Sequence, residues 1–361
     1  MRRHKKLIWA SATHFMVDFI CAWMIINKIP GSESWYLKML VYNFLAFAGQ
    51  LPAGILLDRI TARSDKAGSI TASAGCFLCL AVLLTGADSF ALIVTAGIGN
   101  ALFHVGSGAG ILRKYHGRAS ASGIFVSTGA LGIYAGSVIP MINRIFIPVA
   151  VILFMLTVYS LRLTAAEKKG SITETRSGQT NAGNEKPFSD SPGREALSLI
   201  CLFFVVVLRS FEGSIFSFSW NDSIITGIFL TGAVFLGKML GGFASDVFGS
   251  LQTAAISLGI AAILLAVSDH MGAALIGVLL FNMTMPVTLS ELYRKLSAYP
   301  GTAFGLLTFA LYLGVLPLFS GTGEVSSPAV YAVLTVISLI LIITGLLLPN
   351  PGTKKRTEKS R

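Results

Sequence analysis

The stretch QLPAGILLDRITARSDK, residues 50–66, contains the motif from which the organisation of the whole chain can be inferred. It carries a long apolar segment to an abrupt end at Gly54, Asp58 and Arg59. A short charged turn that contains Arg63 follows directly. The pattern therefore marks where one structural segment stops and a polar connection begins.

A related pattern, KMLGGFASDVFG, returns at residues 238–249. Gly242 and Asp246 repeat the four-residue spacing of Gly54 and Asp58, and each follows its counterpart by 188 residues. One common offset for both residues indicates a chain that contains the same structural unit twice.

The composition is far more apolar than that of a soluble domain. Of the 361 residues, 53% are hydrophobic and only 12% are charged, whereas a soluble domain carries about 25% charged residues. Apolar segments of about 20 residues, the length that crosses a bilayer, recur along the chain. They are continuous rather than alternating, and backbone in lipid must satisfy its own hydrogen bonds. We therefore predict an all-α membrane protein.

Twelve transmembrane helices are predicted, six before residue 163 and six after residue 194. The segment between them is rich in Ser, Thr, Gly, Asn and charge, which is typical of a flexible linker. This pattern predicts two pseudo-symmetric six-helix bundles, residues 1–162 and 195–349, with a cytoplasmic linker at 163–194 and a basic tail at 350–361. The predicted spans are 7–27, 36–57, 67–87, 90–112, 120–140, 145–162, 195–217, 222–245, 250–268, 271–292, 301–320 and 329–349.

The basic residues predict the orientation of the chain in the membrane. Of the 28 Lys and Arg residues, 23 lie in the two terminal segments, the linker and the loops of one predicted side, and three lie on the other side. Positively charged loops are retained in the cytoplasm. Both termini are therefore predicted to be cytoplasmic, in a bacterial plasma membrane. The same distribution accounts for the net charge of +11 without nucleic acid as a partner.

Two six-helix halves, a cytoplasmic linker and a GxxxDR motif at the end of the second span together resemble the major facilitator superfamily of secondary transporters. The signature of that family, of the form G-x-L-a-D-R-x-G-R-r, lies in the loop between the second and third helices and braces the cytoplasmic gate. Thr61 stands where the family usually has a glycine. The resemblance implies a gating role for the matching residues and for the weaker second copy, which are Gly54, Asp58, Arg59, Arg63, Gly242 and Asp246.

The fourth and fifth spans are similar, more narrowly, to exporters of the fosmidomycin-resistance type, which carry a Phe-His pair in the fourth helix. Phe103 and His104 match that pair. The proline that usually follows the last glycine of the fifth-helix signature is absent, because Ser137 follows Gly136. This narrower resemblance implies drug export.

Ionisable side chains at bilayer depth are costly, so each needs a partner or a water-filled cavity. In the fold that the sequence resembles, spans one, four, seven and ten face the central cavity. Seven residues on these spans are candidates for binding a solute or a proton: His14 and Asp18 on span one, Asn100 and His104 on span four, Arg209 and Glu212 on span seven, and Asn282 on span ten.

The spacing of these candidates leaves two interpretations open for each group. His14 and Asp18 are four residues apart, so they share one helix face. They form either a protonatable carboxylate tuned by histidine or a polar pair that fixes span one against a neighbour. Arg209 and Glu212 are three apart and form either an internal salt bridge or a site where Arg209 faces an anionic solute or Asp18.

The remaining candidates can form hydrogen bonds, which again leaves two interpretations open. Asn100, His104 and Asn282 either contact the solute or join neighbouring helices. Pro286 is predicted to kink span ten, because proline leaves a carbonyl of the preceding turn unpaired. The glycines of span five, Gly132 and Gly136 among them, are predicted to permit close helix packing.

No metal, cofactor or catalytic residue is predicted. The four cysteines lie inside apolar segments, where neither a disulfide framework nor a zinc site is expected. The sequence contains no GxxxxGK[ST] phosphate-binding loop, so any transport would run on a gradient. The predicted partners are a small-molecule solute, a proton and the lipid bilayer, and the chain is predicted to be monomeric.

These features predict a proton-coupled secondary transporter that moves a small solute by alternating access, and not an enzyme. Two alternatives remain open at this point. One is an intramembrane enzyme that uses the histidines and acids on a lipid. The other is a transporter-like sensor or assembly factor without flux.

Overall fold

The computed structural model describes residues 4–28, 34–61, 66–85, 90–139, 148–159, 192–320 and 326–348, and the secondary structure of these residues is helical, with no strand. Most of the predicted linker, the predicted tail and Arg63 lie outside these ranges. The helices are α1 Lys5–Lys28, α2 Trp35–Asn43, α3 Gln50–Thr61, α4 Ala67–Thr85, α5 Phe90–Lys114, α6 Ala119–Val138, α7 Pro148–Tyr159, α8 Pro192–Ile215, α9 Ile224–Phe248, α10 Ser250–Leu265, α11 Met271–Asn282, α12 Thr284–Lys295, α13 Pro300–Val315 and α14 Pro328–Leu347.

Every predicted span coincides with a helix or a pair of consecutive helices. In the described part of the chain, ten helical segments are long and apolar enough to cross a membrane, and the helices Pro148–Tyr159 and Ser250–Leu265 are apolar but shorter. Large apolar side chains such as Ile8, Met155 and Ile263 are exposed on the outside of the molecule. Such a surface is stable in lipid and would be costly in water. The prediction of an all-α membrane protein is confirmed.

Two of the long segments are interrupted. A π-helical turn, Phe44–Ala48, joins α2 to α3 within the segment Trp35–Thr61. The segment Met271–Lys295 breaks between α11 and α12, at Met283. Pro286, three residues after Met283, explains this break. Proline has no N–H, so the carbonyl of Asn282 lacks its usual helical partner. The predicted kink in this segment is confirmed.

The helix contacts repeat between the two halves of the sequence. Helix α1 packs on α6, and α4 packs on α5. The corresponding helices of the second half make the same contacts, α8 with α13 and α10 with α11. The halves meet through α6 with α9 and through α3 with α13. These last two contacts are equivalent, because α6 of the first half corresponds to α13 of the second, and α3 corresponds to α9.

Glycines allow α1 and α6 to pack with their backbones in contact. A Cβ atom at Gly132 would meet the carbonyl oxygen of Phe15, and one at Gly136 would meet that of Phe19. Only glycine fits such positions, because any side chain would push the helices apart. The predicted packing role of these glycines is confirmed, and it fixes the helix that carries His14 and Asp18.

Candidate functional site

A buried cluster of ionisable residues forms where α1, α5 and α6 meet. His14 and Asp18 lie one turn apart on α1, and His104 lies on α5 one turn after Asn100. The four residues are between 4% and 9% exposed. Three helices are needed to assemble this cluster, and the structure brings together four of the seven predicted site residues.

The imidazole and carboxylate groups of the cluster are within direct contact distance. The Nε2 atom of His14 lies 3.1 Å from Oδ2 of Asp18, and Nε2 of His104 lies 3.4 Å from Oδ1 of the same carboxylate. The two Nε2 atoms lie 2.9 Å from each other. Both histidines therefore direct the same ring nitrogen at one carboxylate and at one another.

Backbone carbonyls fix the other nitrogen of each ring. Nδ1 of His14 donates a hydrogen bond of 2.7 Å to the carbonyl oxygen of Phe125, and Nδ1 of His104 donates one of 2.9 Å to that of Asn100. A carbonyl oxygen can only accept, so each Nδ1 atom carries a hydrogen. In a neutral ring the corresponding Nε2 atom is then an acceptor.

This pattern favours an additional proton inside the cluster. Two neutral rings would place two Nε2 lone pairs 2.9 Å apart beside the carboxylate of Asp18. Acceptors at that distance repel each other unless a hydrogen lies between them. The arrangement of His14, His104 and Asp18 is therefore suited to hold one proton between the two Nε2 atoms, in addition to the two Nδ1 hydrogens.

The same three residues are the group in the described part of the chain whose ligand atoms could hold a metal ion, and these atoms lie within 4.8 Å of one another. Carbonyl acceptors at Nδ1 also occur around metal-bound histidines. However, two nitrogens bound to a tetrahedral zinc ion lie about 3.3 Å apart. The 2.9 Å between His14 and His104 is a hydrogen-bond length and fits a shared proton better.

The cluster extends to a tyrosine that the sequence analysis did not select. Nδ2 of Asn100 donates to the hydroxyl oxygen of Tyr42 at 3.3 Å and approaches Oδ1 of Asp18 at 3.5 Å. Tyr42 lies on α2 and is 4% exposed. A tyrosine in an apolar helix usually serves helix packing. The position of Tyr42 in the sequence therefore does not predict its contact with Asn100 on α5.

Arg209 and Glu212 both lie on α8, but in the described residues they do not form the ion pair that their spacing permits. The guanidinium carbon of Arg209 lies over the ring of Phe281 on α11, 4.7 Å from its centroid. The carboxylate of Glu212 accepts a hydrogen bond of 2.5 Å from the hydroxyl of Thr335 on α14. The two side chains are held by different helices, so they form no direct salt bridge, although their charges interact.

Lys238 adds a second cation to this region. It lies inside α9, ten residues before the end of that helix, and is partly buried. Its charge interacts with both Arg209 and Asp18, which lie on opposite sides of the contact between the two halves. Asn282, by contrast, donates to the carbonyl of Val278 in its own helix and does not join the cluster.

A second feature lies at one end of the molecule, where Asp58 contacts a helix of the other half. Its carboxylate accepts hydrogen bonds from the backbone N–H groups of Gly301 and Thr302, at 2.8 and 2.7 Å, and from the Thr302 hydroxyl at 2.8 Å. These groups belong to the first turn of α13, whose N–H groups have no partner inside the helix. Asp58 therefore caps α13 and lies at the positive end of its dipole.

Asp246 makes the equivalent contact in the opposite direction. Its carboxylate accepts from the backbone N–H groups of Ala119 and Ser120, at 2.9 and 3.1 Å, and from the Ser120 hydroxyl at 2.5 Å. These residues form the first turn of α6. The two capping contacts run from the first half to the second and from the second half to the first. We call them the reciprocal caps.

The glycine of each GxxxD motif lets the capped helix approach. A Cβ atom at Gly54 would meet the carbonyl of Gly301, and one at Gly242 would meet the carbonyl of Ala119. The four-residue spacing places the aspartate one turn further along the same face. The spacing that first suggested a duplication therefore has a structural purpose. Arg59, in contrast, is exposed at the end of α3.

At the opposite end of the molecule, tyrosine hydroxyls connect the halves. The hydroxyl of Tyr134 on α6 donates to the carbonyl of Ile224, the first residue of α9, at 2.6 Å. The hydroxyl of Tyr36 on α2 donates to the carbonyl of Phe319, just beyond α13. These bonds involve neutral groups, whereas the reciprocal caps involve carboxylates, which form the stronger hydrogen bonds.

A small cavity of about 40 Å³ lies between α1, α4, α5 and α7. Its lining includes the hydroxyl residues Thr13, Ser73 and Thr157, and Phe103 separates it from the cluster side of α5. On the same measure of volume one water molecule needs about 10–15 Å³, so the cavity has room for a few water molecules. The cavity is therefore too small for an organic solute and does not compete with the cluster as a solute site.

Comparison with known proteins adds evidence on the fold alone. No family profile and no curated protein sequence matches the chain. Among solved structures, a major facilitator superfamily transporter, FucP, in the outward conformation, is 12% identical, with a TM-score of 0.63 over 97% of this chain and 100% of that one. A variant of the E. coli fucose:proton symporter FucP is 13% identical, with a TM-score of 0.59 over 97% of this chain and 98% of that one. The chain thus has the fold of the major facilitator superfamily transporters.

Proposed function

We propose that this protein is a proton-coupled secondary transporter that moves a small solute across the membrane by alternating access. In this proposal two six-helix bundles, residues 1–162 and 195–349, rock against each other around a site near the middle of the membrane. The fold supports a transporter rather than an enzyme. The narrower likeness to fosmidomycin-resistance exporters stays a prediction from the sequence.

The reciprocal caps are the observation that carries the proposal. Asp58 and Asp246 hold the two halves together at one end through hydrogen bonds to the first turns of α13 and α6. Such contacts form and break without any change inside either half. A pair of identical, separable contacts related by the duplication is what a gate requires, and it has no evident purpose in a static lipid enzyme.

The distribution of basic residues supports a cytoplasmic position for this gate. Arg59 and Lys66 follow Asp58 in the chain, and Arg113, Lys114 and Arg118 precede the helix that Asp246 caps. Positively charged loops stay in the cytoplasm. The halves are in contact at both ends of the molecule, through the reciprocal caps at one end and the tyrosine hydroxyls at the other. In this proposal these contacts form the two gates, and the cluster of His14, Asp18 and His104 is the proton site between them.

Proton coupling rests on the proton that the cluster holds. Solute binding or gate opening that changes the distance between α1 and α5 would move His14 relative to His104. The shared proton would then lose one of its acceptors, and its release would accompany the conformational change. The cluster is built on helices of one half, and Lys238 of the other half interacts with Asp18, which connects protonation to the relative position of the halves.

The proposal is tested by electrical recording from proteoliposomes on a solid-supported membrane. The purified chain is exposed to a panel of sugars, amino acids, nucleosides, organic anions and cationic drugs, under a pH gradient and without one. We expect at least one solute to produce a transient current that depends on the gradient and is absent from empty liposomes. A lipid enzyme would instead alter the liposome lipids, which mass spectrometry of the same vesicles detects.

A pH-sensitive dye inside the vesicles detects electroneutral movement of one proton with one monovalent anion, which carries no net current. Absence of both solute-dependent current and solute-dependent pH change across the panel, with the protein correctly inserted and folded, would contradict the transport function. Solute currents that are identical with and without a pH gradient would retain transport and reject proton coupling.

A further inference from the structure

In the described part of the chain the guanidinium group of Arg209 is a buried cation that makes no direct ion pair, although the charge of Glu212 lies close enough to interact with it. Arg209 is 7% exposed, and its Nε atom is fully buried without a hydrogen-bond partner. The neighbouring acid, Glu212, directs its carboxylate to Thr335 instead. Arginine normally satisfies its five N–H donors when it is buried. Here the geometry leaves them available.

The surroundings orient Arg209 rather than neutralise it. The ring of Phe281 supports the guanidinium plane from one side, at 4.7 Å from the ring centroid. Phe281 is 2% exposed and packs against Phe216 at 5.4 Å between centroids. A rigid aromatic support fixes the direction of the N–H fork without using any of its donors.

Lys238 strengthens the positive potential at the same place. It lies on α9, Arg209 lies on α8, and their two charges interact. The acidic group of the other half that reaches this region is Asp18, which is already shared between His14 and His104. Lys238 therefore connects Arg209 of its own half with Asp18 in the cluster of the first half.

We propose that the solute of this transporter is an organic anion whose carboxylate or phosphate group binds to Arg209 and is attracted by Lys238. This inference rests on the proposed function and names the class of its solute. The fork of the guanidinium group matches the two oxygens of a carboxylate or phosphate. The anion would supply the acceptors that Arg209 lacks and would lie between the two halves, where solute and proton occupy neighbouring positions.

Binding is tested without transport, by thermal unfolding of the purified full chain in detergent. The probes are matched pairs at equal ionic strength: benzoate with benzamide, succinate with succinamide, and glucose 6-phosphate with glucose. Ligands that bind the folded state raise its apparent stability. We expect at least one anion to raise the melting temperature while its neutral counterpart does not, and the carboxylate and phosphate arms identify which oxyanion is preferred.

The variants Arg209→Gln and Lys238→Gln test which cation is responsible. We expect Arg209→Gln to weaken anion binding by about tenfold or more, the scale of one charge-assisted hydrogen bond, and Lys238→Gln to weaken it less. Arg209→Lys retains the charge but loses the fork and should fall between Arg209→Gln and wild type. Arg194→Gln removes an exposed arginine from the same helix and is the matched control, with unchanged binding expected.

Three results would overturn the inference: no anion of the panel stabilises the wild type, the neutral counterparts stabilise it equally, or a correctly folded Arg209→Gln variant binds as tightly as wild type. Arg209→Lys provides the measurement if the glutamine variant fails to fold. Anion binding without any proteoliposome current or pH change would reject the transport function and retain only the anion-binding site at Arg209. Solute currents restricted to neutral or cationic compounds would retain the transport function and reject an anionic solute.

Discussion

The Nε2 atoms of His14 and His104 lie 2.9 Å apart, and each ring donates its other N–H to a backbone carbonyl. This relationship favours a proton between the two Nε2 atoms, beside the carboxylate of Asp18. Histidine is the side chain whose charge changes most easily near neutral pH. A pair of histidines on two different helices is therefore suited to couple proton binding to helix movement.

Asp18→Asn should abolish proton coupling. The amide cannot take up a proton as the carboxylate does, and its N–H₂ group would place donors beside the histidines. For one proton per monovalent anion, the wild type should accumulate the solute about tenfold per unit of pH gradient. The variant should only equilibrate it, which measurement of solute uptake with and without a protonophore detects. Accumulation that stays equally sensitive to the protonophore would show that Asp18 is not the coupling residue.

Gly129→Ala should disturb the cluster from the side of α6. A Cβ atom at Gly129 would contact Oδ2 of Asp18 and Nε2 of His14. We expect gradient-driven currents to fall by about tenfold or more, as one charge-assisted hydrogen bond is displaced. Gly110→Ala is the control, because nothing lies within 4 Å of a Cβ atom there. Equal currents in both variants would mean that the cluster tolerates displacement and is not the coupling site.

The sequence predicted the members of this cluster better than their contacts. The four-residue spacing of His14 and Asp18 is enough to place them on one helix face. His104 is a candidate because an ionisable group inside the membrane is costly unless it has a partner or a water-filled cavity. Tyr42 joins the cluster through Asn100, which depends on how α2 packs on α5. Arg209 and Glu212 have a spacing that permits a pair, but Phe281 and Thr335 on neighbouring helices hold them apart. Tertiary contacts decided both cases.

The GxxxD repeat shows the same division. The common offset of Gly54 with Gly242 and Asp58 with Asp246 correctly indicated a duplicated structural feature. The groups that the aspartates bind lie 243 and 127 residues away in the sequence. Nothing in the local pattern identifies the first turns of α13 and α6 as the partners. Helix N-termini attract carboxylates in general, but the choice of helix follows from the arrangement of the two halves.

Asp58→Ala should weaken the closed state at the Asp58 end. Loss of a helix cap costs about 1 kcal/mol, so the ratio of closed to open molecules at this end should fall by about fivefold. Asp58→Asn should have a smaller effect, because an amide oxygen caps nearly as well. Amide hydrogen exchange at Gly301 and Thr302 measures the change. Asp222→Asn, an exposed acid at the other end of the molecule, is the control. Unchanged protection in Asp58→Ala would mean that this contact does not hold the gate.

Tyr134→Phe should act on the opposite gate. The variant removes the hydrogen bond to the carbonyl of Ile224 and keeps the ring that packs against Gly227. A neutral hydrogen bond contributes about 1 kcal/mol, so we expect the opposite end to open more often while exchange at Gly301 stays the same or decreases. Faster exchange at Gly301 in Tyr134→Phe would contradict the assignment of the two contacts to separate gates.

Thr335→Val should destabilise the second half without affecting the proton site. Thr335 and Glu212 are both fully buried, and the threonine hydroxyl is the partner of one carboxylate oxygen. Leaving that oxygen unpaired should cost about 1–3 kcal/mol of unfolding free energy. Thermal unfolding in detergent tests this, with Thr344→Val on the same helix as control, since that hydroxyl bonds only to its own helix. Equal melting temperatures for the two variants would show that Glu212 does not depend on Thr335.

The central claim is that the two ends of this protein open alternately, and spin-label distances measured by electron paramagnetic resonance test it most directly. Cysteines replacing the exposed residues Ile60 and Val247 report on the Asp58 end, and cysteines replacing Trp35 and Ile225 report on the opposite end; the four native cysteines are buried. We expect Asp58→Ala to lengthen the first distance and shorten the second, and Tyr134→Phe to do the opposite. Distances at both ends that stay fixed in both variants and at every pH would contradict alternating access.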